Sequence, residues 1–294
     1  MKNDLDKALE YADKLLDVSK HEDIGYYIEK VQILRMRKEY EAAAELLKEA
    51  AKKFKKPLNK RIFDVYIEAG LYKEAEKHLQ KWLLMGNVDG EYYHAQIALN
   101  ILKKDFKMAR HIYDTHGKRL EDWYRNFYGH LLALEEEDYA KDDKVLLSWK
   151  DEMKDPRPDQ LTMIYEYLAF NGFYQNDEEK QHRYAQMALE ENEKDLQKYS
   201  MYRLLYMTRK YRILSLLGRN EEAEELAQKI RKAPLCDNCQ YCRCKDQEVF
   251  EMEAAELQGD PERALELARK GHEEWPAEED LMVAISRLER KAKG

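Results

Sequence analysis

Proline and glycine are scarce in this sequence of 294 residues, which contains six Pro and eleven Gly. Every proline lies between segments that have a helical apolar period, or just inside the start of such a segment. A proline inside a helix removes a backbone hydrogen bond and clashes with the preceding turn. The prolines are therefore predicted to mark the ends of helices.

The sequence also lacks a long apolar segment. No stretch approaches the roughly 20 apolar residues that a membrane-spanning helix needs. The first residues do not form the charged and then apolar leader of a secreted protein. We therefore expect no membrane insertion and, by default, a cytoplasmic location.

Short motifs that would indicate an enzyme are absent as well. The sequence has no glycine-rich phosphate loop, no His-Glu-x-x-His zinc motif and no Gly-x-Ser-x-Gly nucleophile elbow. We therefore expect that the chain is not an enzyme.

Charged residues are abundant, but neither sign is concentrated. The chain carries 51 basic and 59 acidic residues, a net charge of -8, and the two signs are interspersed. A nucleic-acid binder needs a concentrated basic surface, so nucleic acid is an unlikely partner. With 44% apolar residues the chain can bury a substantial core, and its mixed charges suit the outer faces of amphipathic helices.

One short pattern recurs along the chain. A glycine is followed five residues later by an alanine in the segments 70–75, 218–223 and 259–264, and the segments 38–43 and 104–109 repeat the pattern without the glycine. Each segment joins two apolar-periodic stretches, which predicts a hairpin of helices that approach each other closely at the alanine. A larger side chain at that position would separate the two helices.

The pattern resembles that of the tetratricopeptide repeat (TPR) family, in which a Gly, an aromatic residue and an Ala occupy these offsets. The resemblance implies an all-α fold, a right-handed α-α superhelix (TPR-like solenoid) of about seven helix hairpins with a C-terminal capping helix. The positions aligned with the small residue are Ala8, Ala43, Ala75, Ala109, Asp142, Gln181, Ala223 and Ala264. Their early spacings lie close to the family period of about 34 residues, and the later ones are longer.

The whole chain, 1–294, is predicted to form a single TPR-like helical repeat domain. Asp142 and Gln181 replace the small residue, so the later repeats are degenerate or extended. The first pattern, at Ala8, has no first helix before it and either caps the array or follows a missing upstream domain. The closing helix is expected to have Leu281, Ile285 and Leu288 on one face. Its polar residues Arg287, Glu289, Arg290 and Lys291 are expected mostly elsewhere, which gives the polar back that solenoids require for solubility. The expected divisions are regular repeats over 1–120, degenerate repeats over 121–276, a cysteine-rich loop at 234–245 and a capping helix at 277–291.

The resemblance also implies a binding surface, because the first helices of TPR hairpins line the concave face. The leading hypothesis is a scaffold or adaptor that binds a protein or peptide there. The alternative is a signalling-peptide-responsive sensor related to bacterial TPR regulators, and the third is a metal- or redox-dependent enzyme that uses the cysteine loop. Transfer of the groove-facing offsets of the family gives the candidate peptide-binding residues Gln32, Lys60, Asp64, His94, Phe127, Arg209 and Arg212.

The types of these residues indicate the kind of ligand. Chaperone-binding members of the family use Lys and Asn pairs to hold a C-terminal carboxylate. Asp64 at one of the matching offsets would repel that carboxylate, which argues against this clamp. Arg209 and Arg212 are expected to accept anionic groups of a peptide.

All four cysteines lie within nine residues, as Cys236, Cys239, Cys242 and Cys244. In a cytoplasmic protein, four clustered thiols first predict a structural zinc site, because thiolates bind Zn²⁺ strongly. Reduced free thiols, a disulfide pair and an iron-sulfur cluster are the alternatives. The single residue between Cys242 and Cys244 departs from the ferredoxin spacing and weakens the last of them.

We predict that this loop binds one zinc ion, which mainly holds the penultimate hairpin against the last. Thiolate ligation couples metal binding to local folding, so a chelator should loosen residues 234–245 while most of the upstream array stays folded. Elemental analysis beside thiol titration, on protein purified without added metal, measures this. Four titrating thiols without stoichiometric zinc would reject the site, and iron with a brown colour would favour the cluster.

Overall fold

The computed structural model of the chain describes residues 4–86, 88–154, 159–198, 203–234 and 245–292. Within these ranges it contains sixteen α-helices and a short 3₁₀ turn at Gly117–Arg119, and it has no β-strand. The helices are α1 Leu5–Val18, α2 Ile24–Met36, α3 Tyr40–Phe54, α4 Asn59–Glu68, α5 Tyr72–Leu84, α6 Gly90–Leu102, α7 Phe106–His116, α8 Asp122–Glu135, α9 Tyr139–Glu152, α10 Gln160–Gln175, α11 Glu178–Lys198, α12 Arg203–Leu216, α13 Asn220–Lys232, α14 Lys245–Leu257, α15 Pro261–Glu274 and α16 Glu279–Lys291.

The described helices pair as seven hairpins, which confirms the predicted all-α repeat fold. The hairpins run from α2/α3 to α14/α15, with α1 before the first and α16 after the last. The chain divides into two compact units. Unit 1 contains the described residues up to Glu121 together with Glu274–Glu279, and unit 2 contains the other described residues. The prediction of one continuous superhelix across 1–294 stays a prediction.

Each hairpin turns through one residue in the left-handed conformation. This residue always precedes the aligned small-residue position by five, as the sequence pattern indicated for glycine. Glycine adopts positive φ without steric cost, whereas other residues adopt it with some strain. The seven residues are Lys38, Gly70, Lys104, Glu137, Asn176, Gly218 and Gly259.

The backbone around each turn has the same hydrogen bonds. In the α4/α5 turn, the N–H of Gly70 donates to Ile67 O at 2.9 Å and the N–H of Leu71 donates to Tyr66 O at 2.8 Å. This pair of bonds satisfies carbonyl groups that the end of a helix leaves without partners. In several hairpins the next residue is an aspartate that caps the second helix, as Asp105 does by accepting from the N–H of Met108 at 3.1 Å.

The aligned alanines are buried where the second helix of a hairpin begins to pack. Ala43, Ala75, Ala109 and Ala264 are completely buried, and Ala223 is nearly so. Second helices bury one stripe of side chains and leave charged residues on the opposite face. First helices such as α6, with nine buried residues among thirteen, lie between neighbours and bury most of their circumference.

The repeat with Gln181 keeps its close helix approach through a glycine on the preceding helix. A Cβ atom at Gly172 would lie 2.6 Å from the backbone N of Gln181 and 2.8 Å from its Cα. The small residue has therefore moved from α11 to α10. The freed side chain of Gln181 donates through Nε2 to Leu216 O at 2.6 Å, near the end of α12.

The repeat with Asp142 buries a carboxylate where the other repeats have alanine. Nδ1 of His130 lies 2.8 Å from Oδ1 of Asp142, and Nδ2 of Asn171 donates to its Oδ2 at 2.9 Å. A buried carboxylate is tolerated only when such partners replace water. Asp142 therefore joins α8, α9 and α10 through polar contacts, and the degenerate repeat is still a hairpin.

We predict that Gly172→Ala lowers the free energy of unfolding by about 1–3 kcal/mol, because the added methyl group overpacks the α10/α11 contact. Gly271→Ala on α15 is the matched control, since its Cβ would meet nothing closer than 3.5 Å. That change should be neutral or stabilise by roughly 0.5–1 kcal/mol. Urea unfolding of both variants measures the difference, and equal stabilities would contradict the close approach.

Candidate functional site

The seven candidate peptide-binding residues all lie on first helices, but on two surfaces. Those on α2, α4 and α6 belong to the first-helix face of unit 1. Those on α8 and α12 belong to the first-helix face of unit 2, which α8, α10, α12 and α14 form. The residues are Gln32 on α2, Lys60 and Asp64 on α4, His94 on α6, Phe127 on α8, and Arg209 and Arg212 on α12. Their contact with a peptide stays a prediction.

The charged candidates of unit 1 pair with each other. Nζ of Lys60 lies 2.6 Å from Oδ1 of Asp64, one turn further along α4. Burial, together with the nearby charge of Lys60, lowers the pKa of His94 to about 3, so its imidazole is neutral at pH 7. The Lys60 ammonium is thus paired within α4, and the expected absence of a carboxylate clamp at this position stays a prediction.

Gln32 belongs to a second pairing on the same face. Oε1 of Gln32 accepts from Nη1 of Arg35 at 2.9 Å, and Nε of Arg35 lies 2.7 Å from Oε2 of Glu68 on α4. Arg35 and Glu68 were not among the sequence candidates. Their helical offsets differ from those of the family groove, and only the packing of α2 against α4 brings them together.

In unit 2 both candidate arginines are bonded to carboxylates of neighbouring helices. The guanidinium of Arg212 donates to Glu166 on α10 and to Glu253 on α14. Nη2 of Arg209 lies 3.2 Å from Oδ2 of Asp159, and its Nη1 lies 3.5 Å from Oε2 of Glu166. The side chain of Glu166 is only 1% exposed, so these are interior contacts.

This arrangement engages both arginines inside unit 2, and their predicted contact with anionic groups of a ligand stays a prediction. Two guanidinium groups face three carboxylates, so the cluster has no excess positive charge. Charges in a low-dielectric interior are stable only when paired, and the arginines here pair α10, α12 and α14. The carboxylate partners of Arg212 lie 46 residues before and 41 residues after it, beyond the reach of a local pattern.

The last helix, α16, covers the first-helix face of unit 2. Nη2 of Arg287 on α16 lies 2.9 Å from Oε1 of Glu256 on α14. The guanidinium carbon of Arg287 is 4.3 Å from the ring centre of Tyr174 on α10, and Nζ of Lys291 is 4.8 Å from the same centre. A cation over an aromatic face is attracted by the ring quadrupole. Two cations of α16 therefore hold it to α10 and α14.

The C-terminal part of α16 reaches a third first helix. Nη1 of Arg290 lies 2.7 Å from Oε1 of Glu135 at the end of α8, and Nη2 lies 3.2 Å from Oε1 of Glu137. The hydroxyl of Ser286 donates to Oε1 of Glu135 at 3.1 Å. The helix thus bridges α8, α10 and α14 through an acidic rim.

A helix, α16, lies within the predicted capping segment 277–291, but the prediction that its back is polar and solvated is wrong. Leu281, Ile285 and Leu288 do form one apolar face, but residues on the other faces are buried as well. Arg287, expected on a solvated side, is 3% exposed. The buried residues of α16 are Leu281, Met282, Val283, Ala284, Ile285, Arg287 and Leu288.

Phe127, the remaining candidate, takes part in aromatic packing. Its ring centre lies 6.4 Å from that of Trp123, with the rings nearly parallel, and 5.6 Å from that of Tyr128. Trp123 meets Trp149 of α9 edge to face at 5.0 Å. Phe127 is half-buried.

The four candidate zinc ligands, Cys236, Cys239, Cys242 and Cys244, lie outside the described residues. The zinc site therefore stays a prediction. Across the ranges that the structure does describe, no group of three or more His, Cys, Asp and Glu side chains could hold a metal ion.

Of the helices in the described ranges, none combines the length and the apolar content that crossing a bilayer requires. The cytoplasmic location stays a prediction.

With these geometries the chain has the fold of a TPR-like helical repeat protein. No protein-family model matches the sequence, and no curated protein matches it in a sequence comparison. Among solved structures it is similar to the crystal structure of yeast Tom70, with a TM-score of 0.51 and 18% sequence identity. The match covers 98% of this chain and 59% of the Tom70 chain, so this chain spans less than two thirds of that structure. At this identity the likeness concerns the fold alone.

We predict that Arg212→Met lowers the free energy of unfolding by about 3–5 kcal/mol, because it leaves the buried Glu253 without its counter-charge and Glu166 with Arg209 alone. Arg219→Met is the matched control, since Arg219 pairs with Glu222 only on the exposed start of α13. That variant should unfold at nearly the urea concentration of the parent chain. If the two variants were equally stable, the buried ion cluster would not hold the first helices of unit 2 together.

Proposed function

We propose that this chain is a non-catalytic scaffold that binds other proteins by receiving a helical segment on a first-helix face. The single observation that carries the proposal is the way in which α16 lies on the first-helix face of unit 2. The TPR-like fold supports it at a general level. The signalling-peptide sensor and the metal- or redox-dependent enzyme stay as predictions from the sequence.

The apolar spacing of α16 fits a helix-in-groove mode of binding. Leu281, Ile285 and Leu288 follow the i, i+4, i+7 spacing by which an amphipathic helix anchors in a groove, and all three are buried. Burial of a leucine or isoleucine side chain is worth about 1.5–3 kcal/mol. Leu281 lies beside Gly271 of α15, so apolar anchors of this kind supply affinity partly through α15 to any helix that takes the place of α16.

The rim of the face selects the charge of the helix. Glu135, Glu137 and Glu256 receive cations from α16, and Glu253 lies deeper beside Arg212. Charge complementarity across an interface sets specificity and suppresses wrong partners. The partner segment that fits this face is therefore a basic amphipathic helix.

A partner of this class competes with α16. A tethered segment has an effective concentration of order millimolar when its linker is short and flexible. A partner helix that makes only the contacts of α16 would therefore displace it weakly. A partner that displaces α16 must therefore make additional contacts. In this way α16 acts as an internal competitor that restricts binding to high-affinity partners.

The proposal is tested by converting α16 into a separate chain. A protease site is inserted between Ala277 and Glu278, and the folded protein is cleaved there. The fragment that carries α16 should stay associated at micromolar concentration. A fluorescein-labelled synthetic peptide of residues 278–292 should exchange with it, as measured by fluorescence anisotropy.

Two peptide variants provide the matched comparison. Arg287→Glu should weaken binding by at least roughly thirtyfold, because it places a carboxylate against Glu256 in a desolvated contact. Lys291→Glu changes the charge equally, but the Lys291 side chain is 36% exposed against 4% for Arg287. Solvent screens its 3.4 Å contact with Glu256, so this change should weaken binding by less than about tenfold. Equal affinities for the two variants would contradict the proposed mode. A fragment that no excess of peptide displaces would show that the face is a permanent core and not a receptor.

A further inference from the structure

Unit 1 contains a pocket of about 540 Å³ that none of the sequence candidates lines. One face of α3 and one face of α5 form its walls, and the start of α4 with the connector before it forms its base. Both walls are second helices, so the pocket lies outside the surface from which the peptide-binding candidates were taken. Its lining residues all belong to unit 1, and none of them lies on α16.

Lysine dominates the walls of this pocket, which we call the lysine pocket. Six lysines line it against one acidic residue, Glu74, in a chain whose net charge is -8. Lys48 pairs with Glu45, and Lys77 lies 3.9 Å from Glu74. The lysines that line the pocket without an ion-pair partner among the described residues are Lys52, Lys55, Lys56 and Lys81.

The base of the pocket is apolar. Leu58, Ile62 and Tyr66 line it on one side, and Met85, which is 62% exposed, lines its edge at the end of α5. Nζ of Lys48 lies 5.6 Å from the ring centre of Tyr66. The pocket thus offers apolar contact below a rim of positive charge.

The buried imidazole of His78, at the base of the pocket, is also affected by the positive charge of the lysines. Nε2 of His78 lies 3.1 Å from the carbonyl oxygen of Asn59, the first residue of α4. Burial lowers the pKa of His78, and the charges of Lys48 and Lys81 lower it further. The imidazole is therefore neutral, and α4 begins beside it without a side-chain cap.

We infer that the lysine pocket binds an acidic peptide segment that carries a large apolar side chain. The apolar side chain would contact Ile62 and Tyr66, and the flanking carboxylates would pair with Lys52, Lys55, Lys56 and Lys81. This site goes beyond the proposed first-helix binding, because it is built from second helices and takes a ligand of opposite charge.

The lining favours an acidic peptide over a single phosphate or a nucleic acid. Bidentate recognition of a single anionic group, whether phosphate or carboxylate, uses arginine, whereas the cationic side chains of this rim are lysines, which act as separate point charges. Charges spread around a rim match carboxylates spread along a peptide. Single-stranded nucleic acid requires a basic groove that follows the backbone with aromatic platforms for successive bases, and here a single tyrosine lines one pocket.

The probe is a fluorescein-labelled ten-residue peptide with eight Asp and Glu residues around a central Leu-Phe pair. Fluorescence anisotropy with the full chain should show saturable binding of one peptide. Replacing the acids by Asn and Gln should abolish binding, and replacing Leu-Phe by Ser-Ser should weaken it at least about fivefold. Raising NaCl from about 50 to 300 mM should weaken it at least about fivefold, because exposed charges are screened by salt.

The double variant Lys52→Glu/Lys56→Glu should weaken peptide binding by at least about tenfold. Lys73→Glu/Lys118→Glu is the control, since these lysines are exposed in unit 1 but do not line the pocket. It makes the same change in net charge and should alter binding by less than about threefold. Circular dichroism should show that both variants melt as the parent chain does.

Several results would overturn the inference. These are the absence of saturable binding, equal loss in the two double variants, and equal binding of the uncharged peptide. Tighter binding of a ten-nucleotide uridine RNA, inorganic phosphate or phosphatidylserine vesicles, lost in Lys52→Glu/Lys56→Glu, would assign the pocket to another class of anion. A concentration-dependent dimer that this variant dissociates would instead assign it to a second copy of the chain. The cleavage experiment on α16 probes unit 2 and gives its result independently of each of these.

Discussion

The left-handed turn within each hairpin is the constraint on which the rest of the described structure depends. It reverses the chain within two or three residues, so the second helix must return along the first. The contact at the small residue that follows sets how closely the two helices pack. Repetition of this geometry places first helices beside one another. Clusters such as Val31, Leu34, Leu47, Ile62 and Val65 then join the first helix of one hairpin to the next hairpin. In unit 2 the same repetition creates the face on which α16 lies.

The hairpins could be predicted from the sequence because the turn residue and the small residue are close together in the chain. The two degenerate repeats were located by spacing alone. Their compensation was not predictable, since it comes from the preceding helix: Gly172 supplies the space that Gln181 needs, and His130 and Asn171 supply the partners of Asp142. A pattern search that looks only for the alanine would miss these two repeats. Each is still a hairpin, packed through Gly172 in one repeat and through the polar partners of Asp142 in the other.

The candidate site was predicted less well, because charge and burial are properties of the packed chain. Helical offsets placed Arg209 and Arg212 on first helices. Their charges are neutralised by carboxylates that lie far away in the sequence but close in the fold. The apolar spacing identified one face of α16, whereas the burial of Arg287 depends on Glu256 and Tyr174. In the structure, acidic side chains of unit 2 meet the cations of α16. The lysine pocket of unit 1 has six lysines, four of them without an ion-pair partner among the described residues, at positions that the groove offsets of the family did not indicate.

The central claim is that α16 is seated on the first-helix face of unit 2 as a packed, desolvated helix. Hydrogen exchange of its backbone amides tests this most directly. The account predicts that residues 281–288 exchange as slowly as the buried amides of α10 and α12, because α16 must leave the face before its hydrogen bonds open to water. Exchange of these amides within seconds, at the rate of an isolated short helix, would contradict it.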